Sequence, residues 1–162
     1  MAITYEPIAT TTLTTAAASV TFSSISGYTD LFLVYDFVLS SSGDSIGLRF
    51  NSDTGSNYSD TMLTGNGSAA SSSRQTSQSS IRSGYWETGR SQTNISIMNY
   101  ANANTYKTTL SRQFQSGTST SYVVTNVGLW RSTSAITSVT LVGVSGNIAS
   151  GSIFSIYGIK AA

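Results

Sequence analysis

The sequence predicts an all-β fold: a single antiparallel β-sandwich domain, jelly-roll-like, with about eight to ten strands. Three observations lead to this fold class. Apolar residues alternate with period two along the chain, and no segment shows the three-to-four spacing of an amphipathic helix. Aromatic residues make up 10% of the chain, and together with abundant Thr, Val and Ile they favour strands. A length of 162 residues suits one domain spanning positions 1–162.

The clearest strand covers residues 30–39. Its side chains alternate between two largely apolar faces, which predicts either a central strand covered on both sides or one face packed against a neighbouring subunit. One face carries Leu31, Leu33, Tyr35, Phe37 and Leu39, and the other carries Phe32, Val34, Asp36 and Val38.

The remaining strands follow from shorter runs of the same alternation, separated by Gly, Asn, Asp and Ser. Residues 106–115 also alternate between two faces. Thr108, Leu110, Arg112 and Phe114 lie opposite Lys107, Thr109 and Ser111. In chain order the expected strands are 4–13, 19–22, 30–39, 45–50, 81–86, 93–100, 106–115, 121–130, 135–142 and 152–160.

Two segments stand apart from the main run of strands. Residues 1–22 are expected to form an N-terminal arm together with the first strands. Residues 65–80 consist almost entirely of Gly, Ser, Ala, Gln and Asn, a composition that predicts a long exposed loop. Loops of this length are usually functional or mobile.

Charge is sparse and balanced, since charged residues make up 9% of the chain and the net charge is +1. No block of basic residues exists that would bind nucleic acid or an anionic membrane. The first residues lack the basic start and apolar run of a signal peptide, and no apolar stretch has the length of a membrane-spanning helix. We therefore expect no nucleic-acid partner, no membrane partner, and synthesis in the cytoplasm of a host cell.

The chain contains no His and no Cys, which excludes Ser-His-Asp and Cys-His catalysis and metal sites built on imidazole or thiolate. A carboxylate pair of the glycosidase type remains. Asp36 is the strongest candidate for a general acid because it lies between Tyr35 and Phe37, where burial would raise its pKa. The favoured alternative is that Asp36 faces outward or pairs with an Arg of a neighbouring strand or subunit. We expect no enzyme activity, no catalytic residue and no cofactor.

Asp44, Asp53 and Asp60 lie around two adjacent loops and raise the question of a calcium site. Calcium takes six to eight oxygen ligands, and the alternating acidic pattern of a calcium-binding loop is not present. Asn51, Asp53 and Gly55 are more typical of a turn that is capped by its own side chains. We expect no metal site.

Several stretches of the chain resemble a group of small virion proteins of tailed phages, notably those that infect cyanobacteria. The stretches are residues 50–59 (FNSDTGSNYS), 130–141 (WRSTSAITSVTL) and 151–159 (GSIFSIYGI), together with 5–9 (YEPIA) and 18–33. The resemblance implies a jelly-roll or β-sandwich module that serves as a capsid cement or decoration protein or as the tip of a tail fibre. It implies no catalytic residues.

From this resemblance we expect a virion protein that binds and stabilises the head shell. Its expected partners are further copies of itself, as a homotrimer, and the major capsid protein. A trimer would match the local three-fold positions of a capsid lattice. The residues expected to make contacts are Tyr5 and Ile8 in the arm, and Arg74 and Arg82 beside the predicted loop.

The alternative function is a tail-fibre or receptor-binding module that recognises glycans of the host surface. Trp86, Tyr100 and Trp130 lie near the ends of expected strands and are candidate platforms on which sugar rings would stack. Aromatic side chains fill cores or anchor protein interfaces more often than they bind sugars. The head location is preferred over the tail because the sequence shows no coiled-coil or fibrous shaft.

Overall fold

The computed structural model describes residues 5–40, 45–84, 89–117 and 121–160. Within these ranges the chain forms twelve β-strands. No helix there has the length and apolar character needed to cross a bilayer. The strands are β1 (Tyr5–Thr12), β2 (Ser19–Phe22), β3 (Asp30–Phe37), β4 (Ile46–Phe50), β5 (Tyr58–Gly65), β6 (Ala70–Gln78), β7 (Ile81–Gly84), β8 (Gly89–Ile97), β9 (Lys107–Gly117), β10 (Ser121–Trp130), β11 (Val139–Gly143) and β12 (Ile153–Ile159).

The strands form two antiparallel sheets of unequal width. The wide sheet has eight strands in the order β1-β12-β3-β8-β9-β10-β5-β6, and the narrow sheet has four in the order β2-β11-β4-β7. Buried residues of both sheets form one hydrophobic core. The predicted all-β antiparallel sandwich is confirmed. Residues 5–22 supply an edge strand to each sheet, because β1 pairs with β12 and β2 pairs with β11.

Residues 65–80 do not form the predicted loop, because most of them belong to strand β6, which pairs with β5 along its length. The prediction was correct in one respect, since the side chains of β6 lie largely in solvent on both faces. A strand that buries neither face needs no apolar alternation, and so its Ser-rich sequence does not reveal it. Backbone pairing with β5 holds it in place. This hairpin accounts for the strands beyond the predicted number.

The core is most apolar beneath β3, β8 and β12 of the wide sheet. Strand β3 alternates as predicted: its Leu31, Leu33, Tyr35 and Phe37 side chains are buried, whereas Val34 on the outer face is 41% exposed. The rings of Tyr35 and Phe154 stack with centroids 5.5 Å apart. The narrow sheet contributes Val20, Phe22, Ile46, Leu48, Phe50, Ile81, Val139 and Leu141.

A second aromatic group closes the core near the start of β5. The Phe50 and Trp130 rings lie 5.5 Å apart between centroids, and Tyr58 stacks on Trp130 at 6.3 Å. The Tyr58 hydroxyl accepts a hydrogen bond from the Phe50 backbone N at 3.0 Å and donates to the Asp53 carbonyl at 3.2 Å. Burial raises the pKa of Tyr58 to about 12. This tyrosine therefore joins the two sheets with its ring and with its hydroxyl group.

The two sheets approach closely where β10 passes β7. A Cβ atom added to Gly128 would lie 2.5 Å from Cγ2 of Ile81 and 2.6 Å from Oγ1 of Thr109. We expect Gly128→Ala to lower the free energy of unfolding by about 1–3 kcal/mol, because these buried neighbours must shift. Chemical denaturation measures the loss. Gly65→Ala is the control, since its Cβ would meet only Val123 Cγ1 at 3.3 Å, and equal losses in the two variants would contradict this account.

Candidate contact surface

The outer face of the wide sheet carries large apolar side chains on β5, β9 and β10. Leu63 is 55% exposed, Leu110 39%, Phe114 53%, Val123 61% and Val127 53%. Scattered apolar residues are normal on protein surfaces, whereas a contiguous group marks an interaction site. We call these five side chains the apolar patch.

The strand register makes the apolar patch contiguous. Phe114 pairs directly with Val123, and Leu110 pairs with Val127, across the β9–β10 ladder. Leu63 lies opposite Thr125 and is therefore a diagonal neighbour of both valines. Opposite side chains on one face have Cβ atoms about 5 Å apart, and diagonal neighbours are within about 7–8 Å. The five side chains thus form a single surface.

The opposite face of β9 is polar and points into the protein. Lys107, Thr109, Ser111 and Gln113 are all buried. Because successive side chains of a strand point to opposite faces, burying this row turns Leu110 and Phe114 outward. The two faces of β9 are those that the sequence pattern defines, but the polar face is the one inside.

Lys107 shows how a polar residue is accommodated in the interior. Its Nζ donates hydrogen bonds to the backbone carbonyls of Thr105, at 2.9 Å, and Thr133, at 3.1 Å. Burial lowers the pKa of its ammonium group. The two carbonyls belong to the segments that precede β9 and follow β10. Lys107 therefore ties together the chain on either side of the β9–β10 hairpin.

A buried ion pair extends this polar interior towards β5. The Asp60 side chain is fully buried, and its Oδ1 accepts hydrogen bonds from Nε and Nη2 of Arg82 at 2.8 and 2.5 Å. Arg82 also donates to Ser73 Oγ at 3.2 Å, and its backbone carbonyl accepts a hydrogen bond from the Asn126 amide. Ser111 Oγ in turn donates to the Asn126 carbonyl at 3.4 Å. The network connects β5, β6, β7, β9 and β10.

Two arginines lie on the same outer face as the apolar patch. Arg112 is exposed between Leu110 and Phe114 on β9, and Arg74 is exposed on β6, opposite Thr61. Salt bridges among the described residues join Arg82 to Asp60, Arg90 to Asp36 and Lys160 to Glu6. None involves Arg74 or Arg112, and neither guanidinium donates a hydrogen bond to a described residue. The patch is therefore bordered by positive charge.

Asp36 lies on the outer face and is engaged in a structural ion pair, as favoured from the sequence. Nη1 of Arg90, on the adjacent strand β8, donates to Asp36 Oδ1 at 2.5 Å. Gln92 donates to Oδ2 at 3.2 Å. Both carboxylate oxygens therefore accept hydrogen bonds, and the geometry gives no support to a general acid at this position.

Asp53 caps a turn, and the calcium interpretation finds no support in its contacts. Its carboxylate accepts hydrogen bonds from the Gly55 backbone N at 2.8 Å, from Asn57 Nδ2 at 3.0 Å and from Trp130 Nε1 at 2.7 Å. Burial alone would raise the pKa of Asp53, but the three hydrogen bonds outweigh it and lower the pKa. Asp60 is used in its own ion pair, and Asp44 lies outside the described residues.

The residues predicted as a glycan platform are not available on the surface. Tyr100 and Trp130 are each only 2% exposed, because both rings complete the core. The Tyr100 hydroxyl accepts a hydrogen bond from the Tyr28 backbone N at 3.3 Å. Trp86 lies outside the described residues. The prediction of exposed platforms at Tyr100 and Trp130 was wrong, and the alternative that such rings fill the core holds for both.

Of the four residues expected to make intermolecular contacts, two are exposed. Tyr5 is 54% exposed and its ring meets that of Phe32 edge-on at 6.1 Å, and Arg74 is exposed on β6. Ile8 is partly buried against the core. Arg82 was expected on the surface beside a loop, but it is committed to the buried Asp60 carboxylate and has a structural role.

The apolar patch itself was not among the residues singled out from the sequence. The signal was nonetheless present in β9, where Leu110 and Phe114 share one face while Lys107, Thr109 and Ser111 share the other. A strand with one apolar and one polar face normally buries the apolar one. Sequence alone could not reveal that β9 does the reverse.

Comparison of the chain with protein families, with characterised proteins and with solved structures finds no match.

Removing Arg82 tests the buried ion pair. We expect Arg82→Ala to lower the free energy of unfolding by about 3–5 kcal/mol, because the buried Asp60 carboxylate would lose its counter-charge. Arg90→Ala is the matched control. Its ion pair with Asp36 is partly exposed to solvent, and the expected loss is about 1 kcal/mol or less. Urea denaturation of both variants at neutral pH gives the comparison, and a loss at Arg82 no larger than that at Arg90 would contradict it.

The Asp53 turn predicts a specific dependence on pH. Because folding lowers the pKa of Asp53 from its ordinary value of 3.8, its stabilising effect is present above that pH and is lost as the pH falls. At neutral pH we expect Asp53→Ala to lower the free energy of unfolding by about 1–3 kcal/mol. The difference from wild type should narrow when denaturation is repeated at pH 3. Thr54→Ala, in the same turn, should show neither effect, and a constant Asp53→Ala difference across pH would refute the assignment.

Proposed function

We propose that this protein is a structural component of a phage virion, specifically a capsid decoration protein that binds the head shell as an oligomer and stabilises it. The observation that carries the proposal is the apolar patch on the outer face of the wide sheet. A protein that leaves a contiguous group of large apolar side chains about half-exposed gains stability when another surface covers them. These side chains are Leu63, Leu110, Phe114, Val123 and Val127. The resemblance of residues 50–59, 130–141 and 151–159 to small virion proteins supports the phage setting.

The energy available from the patch is consistent with a contact role. Full burial of a large apolar side chain contributes about 1.5–3 kcal/mol, so covering a half-exposed one contributes on the order of 1 kcal/mol. Five such side chains give a useful but modest gain, because association also costs translational and rotational freedom. Many copies bound to one shell would add their separate gains. The arrangement therefore suits repeated attachment to a lattice.

The use of the carboxylates also supports a structural role in preference to catalysis. Asp36 is paired with Arg90, Asp60 is paired with Arg82, and Asp53 caps a turn. Each carboxylate contributes to stability through the donors around it. We propose accordingly that the protein carries out no reaction, and that its partners are the major capsid protein and further copies of itself. A homotrimer would fit the closed symmetry usual for such modules and the local three-fold positions of a capsid.

The tail-fibre alternative depended on an aromatic platform for glycans. Tyr100 and Trp130 are buried, so two of its three candidate residues would have to leave the core before they could stack on a sugar. Trp86 lies outside the described residues and does not by itself favour the alternative. We therefore retain the head location as the proposal.

Deleting the gene from the phage tests the proposed function. Heads purified from the deletion phage are expected to lack a surface protrusion that is visible by electron microscopy. They should also release DNA at a lower temperature than wild-type heads, because the shell loses a clamping protein. Supplying the purified protein should restore both properties. Heads of unchanged appearance and stability would overturn the assignment to the head.

A further inference from the structure

We propose that the apolar patch and its two arginines bind a protein surface that combines apolar side chains with carboxylates, and that this occupant is not a second copy of the chain. The inference rests on the proposed function only for the partner's location, which is the head shell. The chemistry of the partner follows from charge complementarity on the outer face.

The two arginines border the patch from different sides. Across the sheet, Arg112 on β9 is followed by Thr125 on β10 and Leu63 on β5. In the neighbouring row, Val127 on β10 is followed by Thr61 on β5 and Arg74 on β6. Strands β9 and β6 are three positions apart in the sheet, which places the two arginine Cα atoms about 14 Å apart across the strands. Leu63 and Val127 lie between them.

The arginines are suited to form new bonds at an interface. Arg74 and Arg112 form no ion pair with a described residue, whereas Arg82 and Arg90 each contact a carboxylate. Arginine is enriched at interfaces because its planar group is weakly hydrated and bonds carboxylates through two parallel hydrogen bonds. A partner that covered the patch without acceptors would strip water from both guanidinium groups without compensation, and carboxylates are the acceptors that also match their charge.

Among the described residues, a second copy offers no carboxylate that lacks a donor of its own. Each acidic residue in the described part of the chain already has a donor. Three of them form ion pairs: Glu6 with Lys160, Asp36 with Arg90 and Asp60 with Arg82. The other two accept backbone hydrogen bonds, Asp30 from the Asn99 N and Asp53 from the Gly55 N of its turn. If two copies met patch to patch, they would also bring four unpaired arginines into one interface. Like charges that face each other in this way cost several kcal/mol. Any association of copies would therefore use another surface.

The test uses the full chain and a small set of variants. Arg74→Glu and Arg112→Glu reverse the two charges, Arg112→Lys keeps the charge, and Phe114→Ser removes the largest apolar side chain of the patch. Arg131→Glu is the charge-matched control, because Arg131 lies after β10 and donates to the Ser56 carbonyl. Thermal unfolding checks that each variant is folded before it is compared.

The first measurement needs no phage. Anilinonaphthalene sulfonate combines aromatic rings with one negative charge, and Nile red is apolar and uncharged. We expect wild type to bind both dyes. Phe114→Ser should weaken both, and Arg112→Glu should weaken the sulfonate dye about tenfold while leaving Nile red unchanged. Arg112→Lys and Arg131→Glu should resemble wild type. Equal binding of the sulfonate dye by wild type and Arg112→Glu would overturn the proposal.

The second measurement is cosedimentation of the protein with heads from the gene-deletion phage. We expect the double variant with Arg74→Glu and Arg112→Glu to bind the heads on the order of a hundredfold more weakly than wild type. Arg131→Glu should bind them as wild type does. Heads that bind wild type and the charge-reversed variant equally would refute this inference but leave the proposed function intact. If heads bind neither protein while the dye results hold, the head assignment fails, whereas the preference of the patch for an anionic, apolar ligand stands.

The same variants distinguish the proposed partner from two other possible occupants of the patch, a second copy of the chain and a nucleic acid. Analytical ultracentrifugation of wild type and Phe114→Ser reports whether copies associate through the patch, and a wild-type oligomer that becomes monomeric in the variant would overturn the proposal. A labelled single-stranded oligonucleotide tests a nucleic-acid occupant. Tight binding that is lost in Arg112→Glu would assign the arginines to phosphate groups and would also overturn it.

Discussion

The structure depends on which face of strand β9 is buried. Side chains of a strand alternate between two faces, so a single choice determines the position of every residue along it. Here Lys107, Thr109, Ser111 and Gln113 point inward, and Leu110, Arg112 and Phe114 point outward as a direct consequence. The opposite choice would bury the apolar residues and leave the outer face polar. The candidate contact surface therefore has the same origin as the polar strip in the interior.

The polar strip is tolerated because its charged end and several of its neighbouring polar groups are hydrogen-bonded. An unpaired polar group in the interior costs about 1–3 kcal/mol, but Lys107 meets two carbonyls and the Asp60 carboxylate meets Arg82. The apolar core lies mainly beneath β3, β8 and β12, with Tyr58 and Trp130 closing one end. The interior thus has an apolar region, which supplies much of the buried apolar surface, and a polar region, whose hydrogen bonds and ion pair connect several strands. The wide sheet spans both regions, and the outer patch lies over the polar one.

This division suits a protein that acts through contacts. The acidic side chains described above are engaged in capping or pairing, which leaves Arg74 and Arg112 as positive groups on the outer face without a carboxylate. The apolar patch and these arginines together select a partner by shape, by apolar area and by charge. Strand β6 extends this face to the sheet edge with small polar side chains. The proposed attachment to a phage head uses these properties.

The sequence by itself determined the all-β fold, the faces of β3 and β9, and the structural use of Asp36 and Asp53, because these depend on local alternation and on short-range hydrogen bonding. It did not reveal β6, whose polar side chains bury neither face and whose position depends on backbone pairing with β5. Nor did it show that Tyr100 and Trp130 are buried, since an aromatic ring near a strand end has the same local pattern in a core and on a surface. Only the tertiary structure decided which face of β9 is inside. That choice depends on contacts between residues that are distant along the chain. The carbonyl of Thr133 meets Lys107, and Asp60, Arg82 and Asn126 bond to one another beside β9, only when the sheets are assembled.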